Sequence, residues 1–322
     1  MSLTLLQTHE SLLVFILAVA LSRLLPLHSW YHPNAFYSHL FAMIGKRVYQ
    51  PNTNKQQWYI AGSLAFLLPI ATIVVLIFGI SSFALYPVWV DGLLLYLCLY
   101  NPIFERKAQK IAKLLDLGQK ATARQLSTQL VVRDTRNLSE VGIIKACIES
   151  LCLNQVRQFW VIVLLYLGTG PWLMLAYKLM LLCNHAWRKT LPPNSYFMKP
   201  LERTLFVVEW PFIRMFVALL SLLQNYKKTW HYIRLYGRHC YQTNSGWILS
   251  LFAASLNVQL GGPALYQGER FQKMRFGTER HPLSADIRET IRLLNYLRWF
   301  LLALICLLWA ALNLFLQTQL RN

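Results

Sequence analysis

Residues 59–82 read YIAGSLAFLLPIATIVVLIFGISS, a stretch without a charged side chain. A helix needs about 20 apolar residues to cross the hydrocarbon core of a bilayer, so this stretch predicts a transmembrane helix. Three further stretches of similar length are nearly as apolar. They are residues 11–27, 85–104 and 296–317. The sequence therefore predicts an all-α, polytopic membrane protein with about four full transmembrane helices.

The composition agrees with this class. Of the 322 residues, 56% are hydrophobic and 14% are charged, whereas an average soluble domain has roughly 25% charged residues. Lys and Arg total 32 against 13 acidic residues. Because no nucleic-acid motif accompanies this charge, we attribute it to loops that face the anionic cytoplasmic surface of the lipid bilayer, and we expect no nucleic-acid partner. The six cysteines form no CxxC pair and predict buried free thiols.

Charge asymmetry predicts the orientation. Residues 1–10 carry no Lys or Arg, whereas residues 23–58 carry four and no acid, so the N-terminus is expected in the periplasm of a bacterial inner membrane. Residues 105–157 are basic, with apolar residues at helical spacing. They predict a cytoplasmic insert of amphipathic helices. We treat residues 1–322 as one membrane domain with its active face in the cytoplasm.

Three more apolar stretches, 158–183, 205–223 and 247–262, have basic residues on both sides. Simple crossings would leave several of these basic residues outside. The first stretch is interrupted at Gly170-Pro171 and the second at Pro211, so we expect broken or re-entrant helices that close a cytoplasm-facing pocket. The alternative is that they cross and that the positive-inside rule is violated.

The segment LGGPALYQGER, residues 260–270, concentrates glycine in a chain that has only 14 glycines. Gly261, Gly262 and Gly268 could expose backbone N–H groups that hold an anion, with Arg270 nearby. The alternative interpretation is a helix C-cap followed by a turn.

Arg133-Asp134-Thr135 places a cation, a carboxylate and a hydroxyl in consecutive positions, which suits a phosphate or a metal–phosphate pair. The alternative is a helix N-cap, with Asp134 or Thr135 as the capping residue.

Glu149 and Asn154 follow near a membrane entry point, where a carboxylate is costly and often functional. Lys178 lies inside an apolar run and could meet a phosphate or carboxylate, or extend along the helix to the interface. No HExxH motif, clustered cysteine ligands or nucleophilic triad pattern is present, which disfavours zinc chemistry and covalent catalysis.

Taken in order, these segments resemble the CobD/CbiB family of membrane-bound adenosylcobinamide-phosphate synthases over nearly the whole chain. The C-terminal segment is the most specific. The matching segments are Trp30-Tyr31-His32-Pro33, residues 132–138, residues 143–154, Gly170 to Lys178, residues 255–263 with Tyr266, Gly268 and Glu269, and residues 287–294.

The resemblance implies a step of cobalamin biosynthesis. Adenosylcobyric acid, a corrinoid, would be joined as an amide to aminopropanol or its phosphate, with ATP and Mg²⁺ as cofactors and other cobalamin-assembly membrane proteins as partners. It also implies roles for individual residues. Asp134, Glu149 and Glu269 would hold metal or orient the substrate as catalytic residues, and the following would bind phosphate or substrate: Arg133, Thr135, Asn154, Tyr177, Lys178, Gly261, Gly262, Tyr266 and Gly268.

Several acidic positions of that family are occupied here by other residues, such as Arg157, Asn184 and Thr204. Residues 154–166 and 207–214 resemble AmpE, a related membrane protein associated with β-lactamase induction signalling. A non-catalytic membrane sensor that keeps the fold and an anion-binding pocket is therefore the alternative function.

Overall fold

The computed structural model describes residues 2–27, 32–99, 102–131, 133–192, 195–224, 226–240, 242–266 and 268–321; the side chains of residues 2–9, 266, 269–270, 312–313, 315–317 and 319–321 lie outside this description. The helices are α1 (Ser2–Leu24), α2 (Pro33–Val48), α3 (Lys55–Ser81), α4 (Pro87–Cys98), α5 (Ile103–Asp116), α6 (Lys120–Ser127), α7 (Glu140–Gln155), α8 (Val161–Thr169), α9 (Pro171–Thr190), α10 (Lys199–Leu223), α11 (Tyr226–Tyr232), α12 (Thr243–Leu256) and α13 (Ser284–Arg321). The strands are β1 (Gln259–Gly261), β2 (Ala264–Tyr266), β3 (Glu269–Phe271) and β4 (Arg275–Gly277). The all-α prediction is confirmed, with two short strand pairs added to it.

Five helical stretches of the described chain are long and apolar enough to cross a membrane. They are Lys55–Ser81, Pro87–Asp116 (α4 and α5, with residues 100–101 outside the description), Glu140–Thr169, Lys199–Leu223 and Ser284–Ala311. The stretches predicted at 59–82, 85–104 and 296–317 overlap three of these five. The stretch at 11–27 overlaps α1, which ends at Leu24 and is not one of the five. A polytopic membrane protein is therefore confirmed.

The three stretches expected to be broken behave differently from one another. Gly170, with φ of 83°, separates α8 from α9, so this interruption is confirmed. The interruption predicted at Pro211 is wrong, because α10 continues through it. Helices α3, α9 and α12 pack against α10, and such packing keeps a helix continuous where proline removes one hydrogen bond. The third stretch forms α12, whose 14 residues extend only about 21 Å.

Helix α9 lies at the centre of the molecule and packs against α2, α3, α4, α8 and α10. Its contact with α2 is close because Gly45 faces Trp187, whose indole Nε1 donates to the Phe41 carbonyl at 2.9 Å. Both Trp187 and Phe41 are fully buried. The residues of the apolar run around Lys178 are therefore held by protein neighbours on several sides.

The glycine-rich segment forms a two-part hairpin after α12. Asn257, with φ of 59°, ends α12 in the left-handed conformation. The chain then runs through β1, which pairs antiparallel with β4, and β2, which pairs antiparallel with β3. The helix C-cap interpretation of Gly261 and Gly262 is therefore wrong, because the cap lies earlier at Asn257. A polar residue at the cap leaves the glycines free for the bend between β1 and β2, where both have positive φ.

Gly62 of α3 provides a test of this packing. A Cβ atom there would lie 2.0 Å from the backbone oxygen of Phe197, so we expect Gly62→Ala to destabilise the protein by about 1–3 kcal/mol. The matched control is Gly79→Ala in the same helix, where a Cβ atom meets nothing within 4 Å. Thermal unfolding in detergent should show a lower midpoint for the first variant alone. Equal midpoints would contradict this packing.

Candidate anion-binding site

The Arg133-Asp134-Thr135 turn lies against the glycine-rich hairpin. The backbone N–H of Asp134 donates to the Leu265 carbonyl at 2.9 Å, and the Asp134 carboxylate accepts from the Gly268 N–H at 2.9 Å. The N-cap interpretation of the turn is wrong, because Ser139 caps α7 by accepting from the Gly142 N–H. Asp134 therefore fixes the tip of the hairpin.

Glu149, on α7, fixes the base of the same hairpin. Its Oε1 accepts from the Gly261 N–H at 2.8 Å, and its Oε2 lies 3.5 Å from Nη1 of Arg133. A short side chain at position 261 is required, because a Cβ atom there would lie 2.2 Å from the Met274 backbone oxygen. The predicted carboxylates thus hold two glycine N–H groups that had been expected to face an anion.

Arg133 is the buried cation of this arrangement. Its side chain is 9% exposed, and its Nη2 atom is buried without a hydrogen-bond partner. An unpaired guanidinium nitrogen is costly to bury. An anion that supplies oxygen acceptors at this nitrogen would remove the cost.

Two further cations surround the same place. Lys145 lies one turn before Glu149 on α7, where its Nζ donates to Gln259 Oε1 at 2.7 Å. Arg275 is paired across the β1–β4 ladder with Gly261. Arg133, Lys145 and Arg275 interact electrostatically around the single carboxylate of Glu149. Even with the Asp134 carboxylate at the tip of the hairpin included, three positive charges exceed two negative charges, and this excess suits an anionic ligand.

Asn154 and Lys178 belong to a polar row that leads away from Glu149. Asn154 donates to Ser150 and accepts from Gln158 Nε2 at 3.1 Å, and Gln158 Oε1 accepts from Lys178 Nζ at 3.2 Å. Lys178 is 3% exposed, so the prediction that it extends to the membrane interface is wrong. Gln158 couples the two predicted residues.

His32 caps α2, where its Nδ1 accepts from the Asn34 N–H at 3.2 Å. Burial lowers the pKa of His32 to about 4, and the nearby positive charge of Lys178 adds to this effect. His32 is therefore neutral at physiological pH. Trp30 and Tyr31 of the same segment lie outside the described residues.

Thr135 and Tyr177 do not join the cation cluster. Thr135 is buried and its hydroxyl donates to the Arg124 carbonyl at 3.4 Å. The Tyr177 hydroxyl lies 3.2 Å from Oε1 of Glu209. Glu209 in turn pairs with Arg157 at 3.1 Å. Tyr177, Glu209 and Arg157 therefore belong to a separate polar cluster in the helical core.

Glu269 and Tyr266 pair through their backbones at the β2–β3 end of the hairpin, but their side chains lie outside the description. Their predicted contacts therefore stay predictions. Among the described residues, no group of three or more His, Cys, Asp or Glu side chains could hold a metal ion. A site built from several protein carboxylates is absent from that part of the chain.

Sequence reasoning missed Lys145, Gln158, Gln259 and Arg275. Lys145 could have been predicted to lie beside Glu149, because it precedes Glu149 by four residues on the same helix face. The position of Arg275 could not have been predicted, since it depends on the register of β1 against β4.

Comparison with known sequences now adds to this geometry. The profile of the family described as CobD/Cbib protein matches residues 15–294. The chain belongs to the CobD/CbiB family. It is 28% identical over 287 residues to "Cobalamin biosynthesis protein CobD" of Synechocystis, covering 80% of this chain and 79% of that protein. No solved structure matches the chain significantly.

Other members of the CobD/CbiB family are matched over similar lengths. The protein of the same name from Chromobacterium violaceum is 26% identical and covers 95% of this chain and 96% of its own length. "Cobalamin biosynthesis protein CbiB" of Salmonella typhi is 25% identical and covers 82% and 86%. The family prediction from the sequence segments is therefore confirmed.

The hairpin clamp can be tested by proteolysis. Glu149→Ala removes a hydrogen bond between a charged group and Gly261, worth about 1.5–3 kcal/mol. If the hairpin opens locally, trypsin should cut after Arg270, Lys273 or Arg275 roughly 10- to 100-fold faster. Peptide mapping of the purified protein gives the rates.

Two variants control this measurement. Glu140→Ala removes a carboxylate from the first turn of the same helix, where it pairs with exposed Lys120, and should leave the rate unchanged. Glu149→Gln keeps an acceptor oxygen and should have a smaller effect. Equal rates for Glu149→Ala and Glu140→Ala would show that the clamp does not hold the hairpin.

Proposed function

We propose that the chain acts in cobalamin biosynthesis and joins a carboxylate of adenosylcobyric acid to aminopropanol, or to its phosphate, as an amide. Membership of the CobD/CbiB family and the names of its relatives support the pathway. The observation that carries the reaction type is the buried, unpaired Nη2 of Arg133 beside the hairpin. A phosphoryl group is the natural partner for such a guanidinium.

Amide formation from a carboxylate needs activation, and ATP would supply it. A carboxylate oxygen would attack the γ-phosphorus of ATP, giving an acyl phosphate and ADP. The amine nitrogen would then attack the acyl carbon, with loss of inorganic phosphate and of one proton from the nitrogen. Both steps place negative charge on phosphoryl oxygens, which fixed cations stabilise. Arg133, Lys145 and Arg275 would carry this role.

The two described carboxylates have different parts in this proposal. Asp134 is exposed and only one of its oxygens accepts the Gly268 N–H, so it would be the protein ligand for Mg²⁺. Mg²⁺ commonly binds through one or two carboxylates together with substrate phosphates. Glu149 is a positioning residue, because Gly261 and Arg133 engage its two oxygens.

The polar row of Asn154, Gln158 and Lys178 would contact the remainder of the substrate. These side chains offer amide donors and acceptors and one buried ammonium group, which suits a polar molecule that carries a carboxylate. Tyr177 is not included in this row, because its hydroxyl contacts Glu209.

Complementation tests the proposed reaction. In a strain that lacks its own adenosylcobinamide-phosphate synthase and grows on cobyric acid, the wild-type chain should restore cobalamin-dependent growth. Arg133→Gln should reduce synthase activity about 100-fold or more, because it removes a donor to a charged transition state. Arg136→Gln, an exposed neighbour three residues away, is the matched control and should rescue fully.

Immunoblots of the membrane fraction must show equal amounts of the three proteins. No growth with well-expressed wild-type protein would overturn the proposed enzymatic function. Full rescue by Arg133→Gln would overturn the assigned site alone.

A non-catalytic sensor is the second candidate. The observation that favours it is the buried Arg157–Glu209 pair, which lies in the two segments that resemble AmpE. Both functions share the anion site, so binding does not separate them. ATP- and Mg²⁺-dependent amide formation by the purified protein would exclude the sensor, whereas corrinoid or nucleotide binding without turnover would favour it.

We also propose residence in a bacterial inner membrane with a periplasmic N-terminus. The absence of Lys and Arg from residues 1–10 and the basic content of residues 23–58 support this orientation. The turn between α3 and α4 would then face the periplasm, and the loop between α5 and α6 would face the cytoplasm together with the anion site.

Cysteine labelling tests this orientation. An impermeant maleimide should label Ser82→Cys in cells with a permeabilised outer membrane, and Gln119→Cys only after the inner membrane is opened. Both positions are exposed. The wild-type chain is the blank, because Cys98, Cys147, Cys152 and Cys183 are buried and the other two are partly buried. The reverse labelling pattern would invert the topology.

A further inference from the structure

A second basic region lies far from the Arg133 cluster in the sequence. Between Glu209 and Glu269 the chain has no acidic residue, although it contains five Lys and Arg residues. Four of these follow the end of α10 within 15 residues, from Lys227 to Arg238. Such a charge distribution points to an anionic partner.

The basic residues lie on a helix that starts next to the end of an apolar one. Helix α10 is one of the five helices long and apolar enough to cross a membrane, and its last turn exposes Leu222 and Leu223, at 74% and 43%. Helix α11 begins at Tyr226 and continues through a π-helical turn to Gly237. The exposed apolar end of α10 therefore adjoins a basic and aromatic helix.

One face of this helix packs on the protein. Thr229, Ile233 and Gly237 are buried and recur every four residues, and Gly237 approaches Ser250 of α12 closely. Because this face is fixed against α12, other residues of the helix reach the surface. Tyr226, Lys227, His231 and Arg234 are exposed, and Trp230 is half-buried.

These outward residues line a shallow cavity of about 480 Å³. Its lining consists of Tyr226, Lys227, Trp230, His231 and Arg234. The volume lies within the range of about 300–1,000 Å³ that ligand sites occupy. Trp230 forms an edge-to-face pair with Trp247, whose ring in turn lies 3.8 Å from the guanidinium carbon of Arg214. An edge-to-face ring pair and a cation–π contact therefore hold the wall of the cavity in place.

We propose that this cavity binds the headgroup of an anionic phospholipid of the surrounding bilayer. Trp and Tyr side chains prefer the headgroup level of a membrane, where one part of the ring is apolar and another is polar. Lys227 and Arg234 pair with the phosphate, and the exposed end of α10 contacts the acyl chains. The absence of acids from this stretch removes the repulsion that a lipid phosphate would otherwise meet.

The test uses the full-length protein in nanodiscs that contain equimolar phosphatidylglycerol and phosphatidylcholine, with native mass spectrometry of the lipids that stay bound. The wild type should retain phosphatidylglycerol in preference to phosphatidylcholine, and less of it as salt increases. Lys227→Gln/Arg234→Gln should weaken retention about 25-fold, since each of the two basic residues near an anionic surface contributes about fivefold.

Arg106→Gln/Lys110→Gln is the charge-matched control. It removes one exposed Arg and one exposed Lys, four residues apart on α5. Its loss of phosphatidylglycerol should be clearly smaller, because it measures only the general attraction of a basic surface to anionic lipid. Equal loss in both double variants, or equal retention of the two lipids by the wild type, would overturn the proposal. Displacement of the bound lipid by soluble glycerophosphate would also overturn it, because it would assign the cavity to a free anion.

Discussion

A buried carboxylate has to be paired, and this constraint organises the structure. Glu105 is 5% exposed and accepts from Arg298 at 2.6 Å and from Arg23 at 3.1 Å. The three residues come from α5, α13 and α1, so one carboxylate joins the start, the middle and the end of the chain. Loss of one partner from such a buried pair typically costs about 3–5 kcal/mol, because a charge remains without compensation.

The same constraint shapes the candidate site. The chain has 13 acidic and 32 basic residues. There are therefore too few carboxylates to balance every positive charge. Glu149 compensates only part of the charge of Arg133 and Lys145, and one of its oxygens is engaged by the Gly261 N–H. The excess positive charge that results is the physical basis of the proposed anion site. A second carboxylate, Glu209, is paired with Arg157 inside the helical core.

The parts of the fold that depend on local chemistry could be predicted. An apolar stretch such as 59–82 can only form a helix inside a bilayer, because its backbone groups must be hydrogen-bonded internally. Gly170-Pro171 ends one helix and begins the next through backbone preferences alone. Pro211 misled the prediction, because whether proline breaks a helix depends on the neighbours that support the surrounding turns. The cap at Asn257 was missed because the adjacent glycines were the stronger local signal. Their positive φ values serve the bend of a hairpin instead.

The sequence by itself determined the membrane class, the family and the residues Arg133, Asp134, Glu149, Gly261 and Gly268 as a set, since residue type and order carry that information. Only the tertiary structure decided how these residues are used. Glu149 and Gly261 are separated by 112 positions, and no periodicity links them. Their hydrogen bond, the unpaired Nη2 of Arg133 and the contact of Tyr177 with Glu209 arise from how the helices and the hairpin pack. Burial then fixes which polar groups must find a partner inside the protein and which remain available to a ligand.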